Sequence, residues 1–224
     1  KYTSLHFNIL LSRLVSLPDY KYYQSMSADT NQHPQRNPSQ LYDKILIAAA
    51  ELFYCKGFNQ VSINEVIGNS KVSRRTFYRY FPSKDELIVE VMRFQAKQWL
   101  KYFEEEVSKK ASSPKEKILS SLDVLLEWYE SPEFHGCPFI KAALEIADTS
   151  HPVNQIVVMA RQSVRTYIFK LALEANIPKP EIFSHQYLLL MGGSILMASI
   201  EGNTMGAEYT RETLIAFMDV DSNG

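Results

Sequence analysis

Three serines between Val61 and Leu87 constrain this chain more than any other feature. Ser62, Ser73 and Ser83 each stand directly before a helical run and occupy an N-cap place. There a hydroxyl takes one of the N–H groups that the first helical turn leaves unpaired. Ser62-Ile-Asn-Glu65 and Ser83-Lys-Asp-Glu86 carry the glutamate that completes a capping box, and Val61/Val66 and Val72/Phe77 have hydrophobic-staple spacing. Starts so close together leave room for two helices of about two turns before a long one opens at Ser83. Two short helices joined through Ser70-Lys71-Val72 make a helix-turn-helix over residues 62–81.

The rest of the chain reads as helix too. Leu41, Ile45, Ala48, Ala49, Leu52 and Phe53 form one apolar stripe that ends at Lys56-Gly57, where Gly57 is free to take a left-handed backbone. Ser113-Pro-Lys-Glu116 is a capping box with proline at N1, and Ser131-Pro132 stops the helix it opens. A short helix follows Cys137-Pro138. Longer ones run from Pro152 to about Ala175, from near Pro180 to around Gly202, and over roughly Ala207–Met218. Alternating strand patterns are missing, and 8 Gly in 224 residues is low for a loop-rich β protein. The expected fold class is all-α, with residues 38–83 as an N-terminal helix-turn-helix domain and residues 84–224 as a C-terminal helical domain.

The chemistry of the first unit points to DNA. A formal net charge of −1 hides an asymmetry: Arg36–Arg93 carries nine Lys/Arg against six Asp/Glu, and the stretch from Phe94 to the end twelve against seventeen. Lys71, Arg74, Arg75, Arg79 and Lys84 follow one another with no acidic residue until Asp85. With Ser73 as N-cap, Arg74, Arg75 and Thr76 fill the first turn of the second helix, the part of a helix-turn-helix that enters the major groove. Arginine pairs with guanine O6/N7, and threonine meets a thymine methyl. Tyr78, Tyr80 and Lys84 bring a hydroxyl or an ammonium within reach of phosphate, while Phe77 and Phe81 face inward. A solvated helix face is the competing reading of such a basic cluster.

Residues Val61–Leu87, VSINEVIGNSKVSRRTFYRYFPSKDEL, resemble the signature of the TetR family, and Glu51-Leu-Phe53 with Lys56-Gly57-Phe58 resembles the end of the family's first helix. Three positions depart from the usual pattern: Ile67 for a small alanine, Lys71 for a turn glycine and Arg75 for a common glycine. The resemblance implies a transcriptional regulator, commonly a repressor, that binds a double-stranded DNA operator as a homodimer and is released by a small-molecule inducer. The stretch Phe134–Val153 is similar to a segment in one branch of that family, without implying a ligand.

The C-terminal half offers candidate sites of three kinds. Trp128, Tyr129, Phe139, Met159, Tyr167, Met191 and Met197 are candidates to line a ligand pocket, against the alternative of ordinary core. Glu145 and His135 are polar candidates in apolar surroundings. Leu189, Gly192, Gly193, Leu196 and Ile200 share a helix face suited to close packing against a second copy. Cys137, placed as an N-cap before Pro138, is expected to carry a lowered pKa from the helix dipole and a protonated His135, making it a candidate thiol switch. A small buried filler is the alternative reading of Cys137.

Other classes have less behind them. A thiol nucleophile at Cys137 beside His135 lacks a third orienting residue, so no enzyme is expected. A helical ligand-binding module without DNA function remains as another class. Cys55 and Cys137 match no metal-ligand spacing, and neither a metal nor a cofactor is expected. Residues 1–37 read as a disordered or non-native extension, and Lys1–Ser25 as preceding the first Met, Met26. Leu5–Leu17 is interrupted by Arg13 and too short to span a membrane. The expected location is the cytoplasm.

Overall fold

The structure, a computed structural model, describes residues 40–219. The extension expected over residues 1–37 lies outside the described residues. Nine helices occupy the described residues: α1 (Gln40–Lys56), α2 (Ile63–Ser70), α3 (Arg74–Tyr80), α4 (Lys84–Lys110), α5 (Pro114–Tyr129), α6 (Pro138–Glu145), α7 (Pro152–Glu174), α8 (Pro180–Glu201) and α9 (Met205–Asp219). The chain is all-α, with a helix-turn-helix at its N-terminal end and a helical domain after it.

The caps account for these boundaries. Ser62, Ser73, Ser83 and Ser113 each accept the backbone N–H three residues on. At Ser113 the reciprocal bond from its own N–H to the Glu116 carboxylate completes the box. At Ser62 the glutamate works elsewhere, because Glu65 accepts from Lys56 Nζ and ties α2 to the end of α1. Gly57 takes φ +88° after α1, and Lys71 takes φ 53° after α2, a left-handed turn without glycine. The last helix begins at Met205, two residues before the expected Ala207, where Asn203 Oδ1 accepts the Met205 N–H at 3.1 Å.

Two apolar cores organise the packing. The first gathers Ile45, Phe53, Phe58, Val66, Phe77 and Phe81 from α1–α3 and its turns. It is closed by Leu87, Val91 and Met92 of α4, Phe139 and Ala142 of α6, and Val153 and Ile156 of α7. The second holds Phe103, Leu122, Leu125, Ile168, Tyr187 and Leu214 from α4, α5, α7, α8 and α9. Full burial of a side chain like Phe77 contributes about 1.5–3 kcal/mol. The first half of α4 therefore belongs to the first core and its second half to the other, with Trp99 packed against both. Any tilt of α4 is shared by the two units.

The second core carries polar pairs that are satisfied internally. Ser121 and Tyr187 share a hydrogen bond at 2.6 Å, and Tyr129 and Ser194 share one at 2.9 Å. Arg211 is ion-paired with Asp123, joining α9 to α5, and Lys110 with Glu127, joining the end of α4 to α5.

Candidate nucleic-acid interface

Helix α3 has one buried and one open face. Phe77 is fully buried and Phe81 nearly so, which pins the helix by its inner side. Arg74, Arg75, Tyr78 and Arg79 are then left facing solvent. The Ser73 hydroxyl is taken up by the cap: it accepts the Thr76 N–H at 3.1 Å and shares a hydrogen bond with the Thr76 hydroxyl at 2.8 Å. Ser73 and Thr76 thus build the start of the helix, and the charge it presents comes from the two arginines.

The arginines differ in their surroundings. Arg74 Nη2 donates to Asn64 Oδ1 on α2 at 2.6 Å, so its guanidinium is held across the helix-turn-helix. Arg75 makes no hydrogen bond or ion pair within the described residues and extends freely. Arg79 lies over the Tyr80 ring, 4.9 Å from its centroid, and donates to the Tyr80 hydroxyl at 3.2 Å. Tyr80 is half-buried and meets Tyr42 edge to face at 5.9 Å between centroids, which makes it a packing residue. Lys84, at the first turn of α4, donates to the Asn59 carbonyl at 3.4 Å. Lys71, on its left-handed turn, is exposed beside this group.

A short recognition helix with basic residues at its N-terminal end, braced by a first helix across a left-handed turn, is a major-groove reading unit. Comparison with known proteins agrees. Residues 45–91 match the family model of bacterial regulatory proteins, tetR family. The chain belongs to the TetR family. It is a DNA-binding transcriptional regulator.

Relatives extend the likeness beyond the first unit. An uncharacterised HTH-type transcriptional regulator from the lacX 3′ region of Lactococcus lactis subsp. lactis is 25% identical over 170 residues, covering 70% of this chain and 83% of that protein. The uncharacterised HTH-type regulator YuxN of Bacillus subtilis is 33% identical over 159 residues, covering 67% of this chain and 51% of that protein. Among solved structures, the reduced form of NemR from Escherichia coli superposes with a TM-score of 0.75 at 17% identity, covering 82% of this chain and all of that one. At that identity the likeness concerns the fold.

In the C-terminal half of this TetR-family regulator the candidate pocket residues divide. Trp128, Tyr129 and Met191 meet in the second core, where Trp128 lies 5.1 Å from Trp99 and 5.0 Å from Phe134 between ring centroids. Tyr167 joins them edge to face with Phe103 at 6.1 Å. The other three do not join that cluster. Met159 is 62% exposed on the outer face of α7, because Ile156 and Val157 take the inner positions of that turn. Phe139 is buried in the first core. Met197 is half-buried where α8 meets Gly206 of α9. An open cleft of about 410 Å³ lies elsewhere, lined by Phe169, Lys179, Pro180, Glu181 and Ile182 at the turn into α8.

Cys137 is the N-cap of α6, as the sequence implies, but its expected acidity is not found. It packs partly buried against both cores, and burial pushes the thiol up, outweighing the N–H groups of Ile140 and Phe139 that favour a thiolate. His135 has other partners, its Nδ1 against the Glu133 carbonyl at 2.8 Å and its ring tilted on Tyr54 at 5.5 Å. A thiol held protonated is a poor nucleophile, so burial opposes the thiolate on which the expected switch depends. Cys55 is exposed, and its thiol is also raised, by burial first and then by Glu51.

The expected dimer face is largely open. Leu189 and Ile200 are 71% and 75% exposed, Leu196 is 48% exposed, and a Cβ on Gly193 would meet nothing within 4 Å. Gly192 departs from this set: it is half-buried, and a Cβ there would lie 3.9 Å from Arg161 Nη1 on α7. Sequence reasoning missed two residues of the reading unit, Asn64, which holds Arg74, and Asn59, which meets Lys84. The one available signal was an asparagine in the first turn of α2, facing the start of α3.

Proposed function

We propose that this regulator is a repressor that binds two half-sites of a DNA operator as a homodimer and is released by a small-molecule inducer. The observation carrying the reading is the start of α3, where Arg74 and Arg75 stand in the first turn of a helix pinned by Phe77. Bidentate arginine at that place reads guanine. Ser73 and Thr76 form the cap, Tyr78 and Arg79 extend along the exposed face, and Lys84 and the Tyr80 hydroxyl contact the backbone.

Dimerisation is supported by the apolar stripe of α8, where Ile182, Leu189, Leu196 and Ile200 are exposed beside Met205, Tyr209 and Ile215 of α9. Large apolar side chains left exposed on two helices that pack together suit an interface with a second copy. The inducer belongs among the helices of the second core, near Trp128, Tyr129, Tyr167 and Met191. It is a small, mostly apolar molecule, for which the buried Tyr167 hydroxyl offers a polar partner. Such a ligand releases DNA only through its differential affinity for the two dimer geometries.

The test is a gel-shift titration on duplexes selected from a random library by the wild-type protein. The Arg74→Ala/Arg75→Ala variant should lose specific binding while keeping its helical content. Unchanged affinity for the selected duplex would end the reading.

A further inference from the structure

Helix α6 grips the end of α1 at two points that the DNA-reading face does not use directly. Lys141 Nζ donates to the Tyr54 carbonyl at 2.9 Å and lies 5.5 Å from the centre of the Tyr54 ring. One turn further on, the Glu145 carboxylate accepts the Asn59 N–H at 2.8 Å, and Asn59 Nδ2 donates back to the Glu145 carbonyl at 3.4 Å. The two charges suit what they meet: a cation on a carbonyl in the last turn of α1, and an anion on a free amide just beyond it.

The turn is shaped to admit the carboxylate. Gly57 has φ +88°, and a Cβ there would come within 2.6 Å of Glu145 Oε1. Asn59 in turn receives Lys84 Nζ on its carbonyl, so Glu145 is two hydrogen bonds from the first turn of α4 beside the DNA-facing unit. The Tyr54 hydroxyl accepts from the Trp128 indole at 3.3 Å and the His135 N–H at 3.1 Å, tying the same spot to the aromatic cluster of the second core.

We propose that Glu145 and Lys141 are positioning residues for operator reading: from α6 they fix the angle at which α1–α3 is presented, and so the separation of the two recognition helices in the dimer. This rests on the two-half-site reading above. The clamp is polar and borders solvent, and its residues belong to neither core. Its loss should therefore loosen orientation rather than unfold the protein.

The experiment uses the full chain and the selected duplex, with the spacer between half-sites shortened or lengthened by one base pair. Wild type should lose affinity about tenfold or more on either altered spacer. Glu145→Ala should bind the original duplex more weakly and discriminate spacers less than about threefold, with an unchanged salt slope. Glu145→Gln keeps an acceptor for the Asn59 N–H and should restore discrimination. Lys141→Met, which breaks the other point, should behave like Glu145→Ala and serves as the probe if the alanine variant unfolds. Full spacer discrimination in both Glu145→Ala and Lys141→Met, or a Glu145→Gln variant as impaired as the alanine, would overturn the assignment. A wild type indifferent to spacer length overturns the two-half-site reading itself.

Discussion

At the scale of single residues, the two arginines of α3 separate what reads from what positions. Arg75 is exposed, so on the proposed reading Arg75→Ala would remove a base contact at no cost to the fold, and about 1–3 kcal/mol of specific binding should go with it. Arg74 is held by Asn64, so Asn64→Ala should weaken operator binding although Asn64 need touch no base. Lys84→Ala should lower affinity on all sequences and reduce the salt slope by about one charge. Competition titrations at several salt concentrations distinguish the three. The buried hydroxyl of Tyr187 makes a different prediction. Burial raises its pKa, with Ser121 opposing less strongly, whereas an unfolded tyrosine titrates near 10. A group raised on folding contributes stability that is complete below the unfolded value and is lost as pH rises past it toward the folded one. Urea titrations should therefore show stability falling above about pH 10, and Tyr187→Phe should flatten that fall. A variant with the same alkaline slope as wild type would exclude Tyr187 as its source.

At the scale of elements, the serine caps make most of the fold legible in the sequence, because a cap is a local contest between one side chain and three or four N–H groups. Ser113→Ala should cost about 1 kcal/mol in thermal or urea unfolding, since the hydroxyl that accepts the Glu116 N–H goes while the backbone N–H facing the Glu116 carboxylate stays. Lys71 is a test of the turn. Its φ of 53° is one a lysine adopts with some strain and a β-branched residue resists. Lys71→Val should destabilise by about 1–2 kcal/mol, whereas Lys71→Gly should leave the melting temperature unchanged or higher and lower the salt slope. Equal effects from both would mean the turn relaxes out of the left-handed region. What the sequence hid was phase and long-range pairing. Ile156-Val-Val-Met159 is apolar throughout, so periodicity could not tell that Met159 faces outward while Ile156 and Val157 are buried. Glu145 meets Asn59 from 86 residues away, a pairing no local pattern encodes. Cys137 misled for a related reason. The dipole at its cap is visible in sequence, but the packing of two cores around the thiol is not, and desolvation is the larger effect. Iodoacetamide should accordingly modify exposed Cys55 before Cys137 in the native protein. Faster reaction at Cys137 would restore the thiolate that burial argues against.

At the scale of the whole molecule, everything proposed for DNA reading depends on two copies meeting through α8 and α9. A pair of half-sites about one helical turn of DNA apart, or a multiple of that, can be held only if the dimer fixes the distance between its α3 helices. Gly193 offers a clean way to test this. In the single chain a Cβ at Gly193 meets nothing within 4 Å, so Gly193→Leu inserts its bulk into open space and leaves both cores untouched. Gly206 shows the contrast, since a Cβ there would lie 3.1 Å from the Ser194 backbone and disturb the α8–α9 packing itself. In a dimer packed across the Leu189, Leu196 and Ile200 stripe, the same leucine at 193 stands where the partner helix must approach, holding it away by the width of a side chain. The variant should melt at the wild-type temperature when dilute, scatter light as a monomer at micromolar concentration, and bind a single half-site as wild type does. On the two-half-site duplex its affinity should fall by about 100-fold, since each copy would then bind alone. Should Gly193→Leu stay dimeric and bind that duplex normally, the interface lies on another face, and the exposed stripe of α8 must be covered by something other than a second copy.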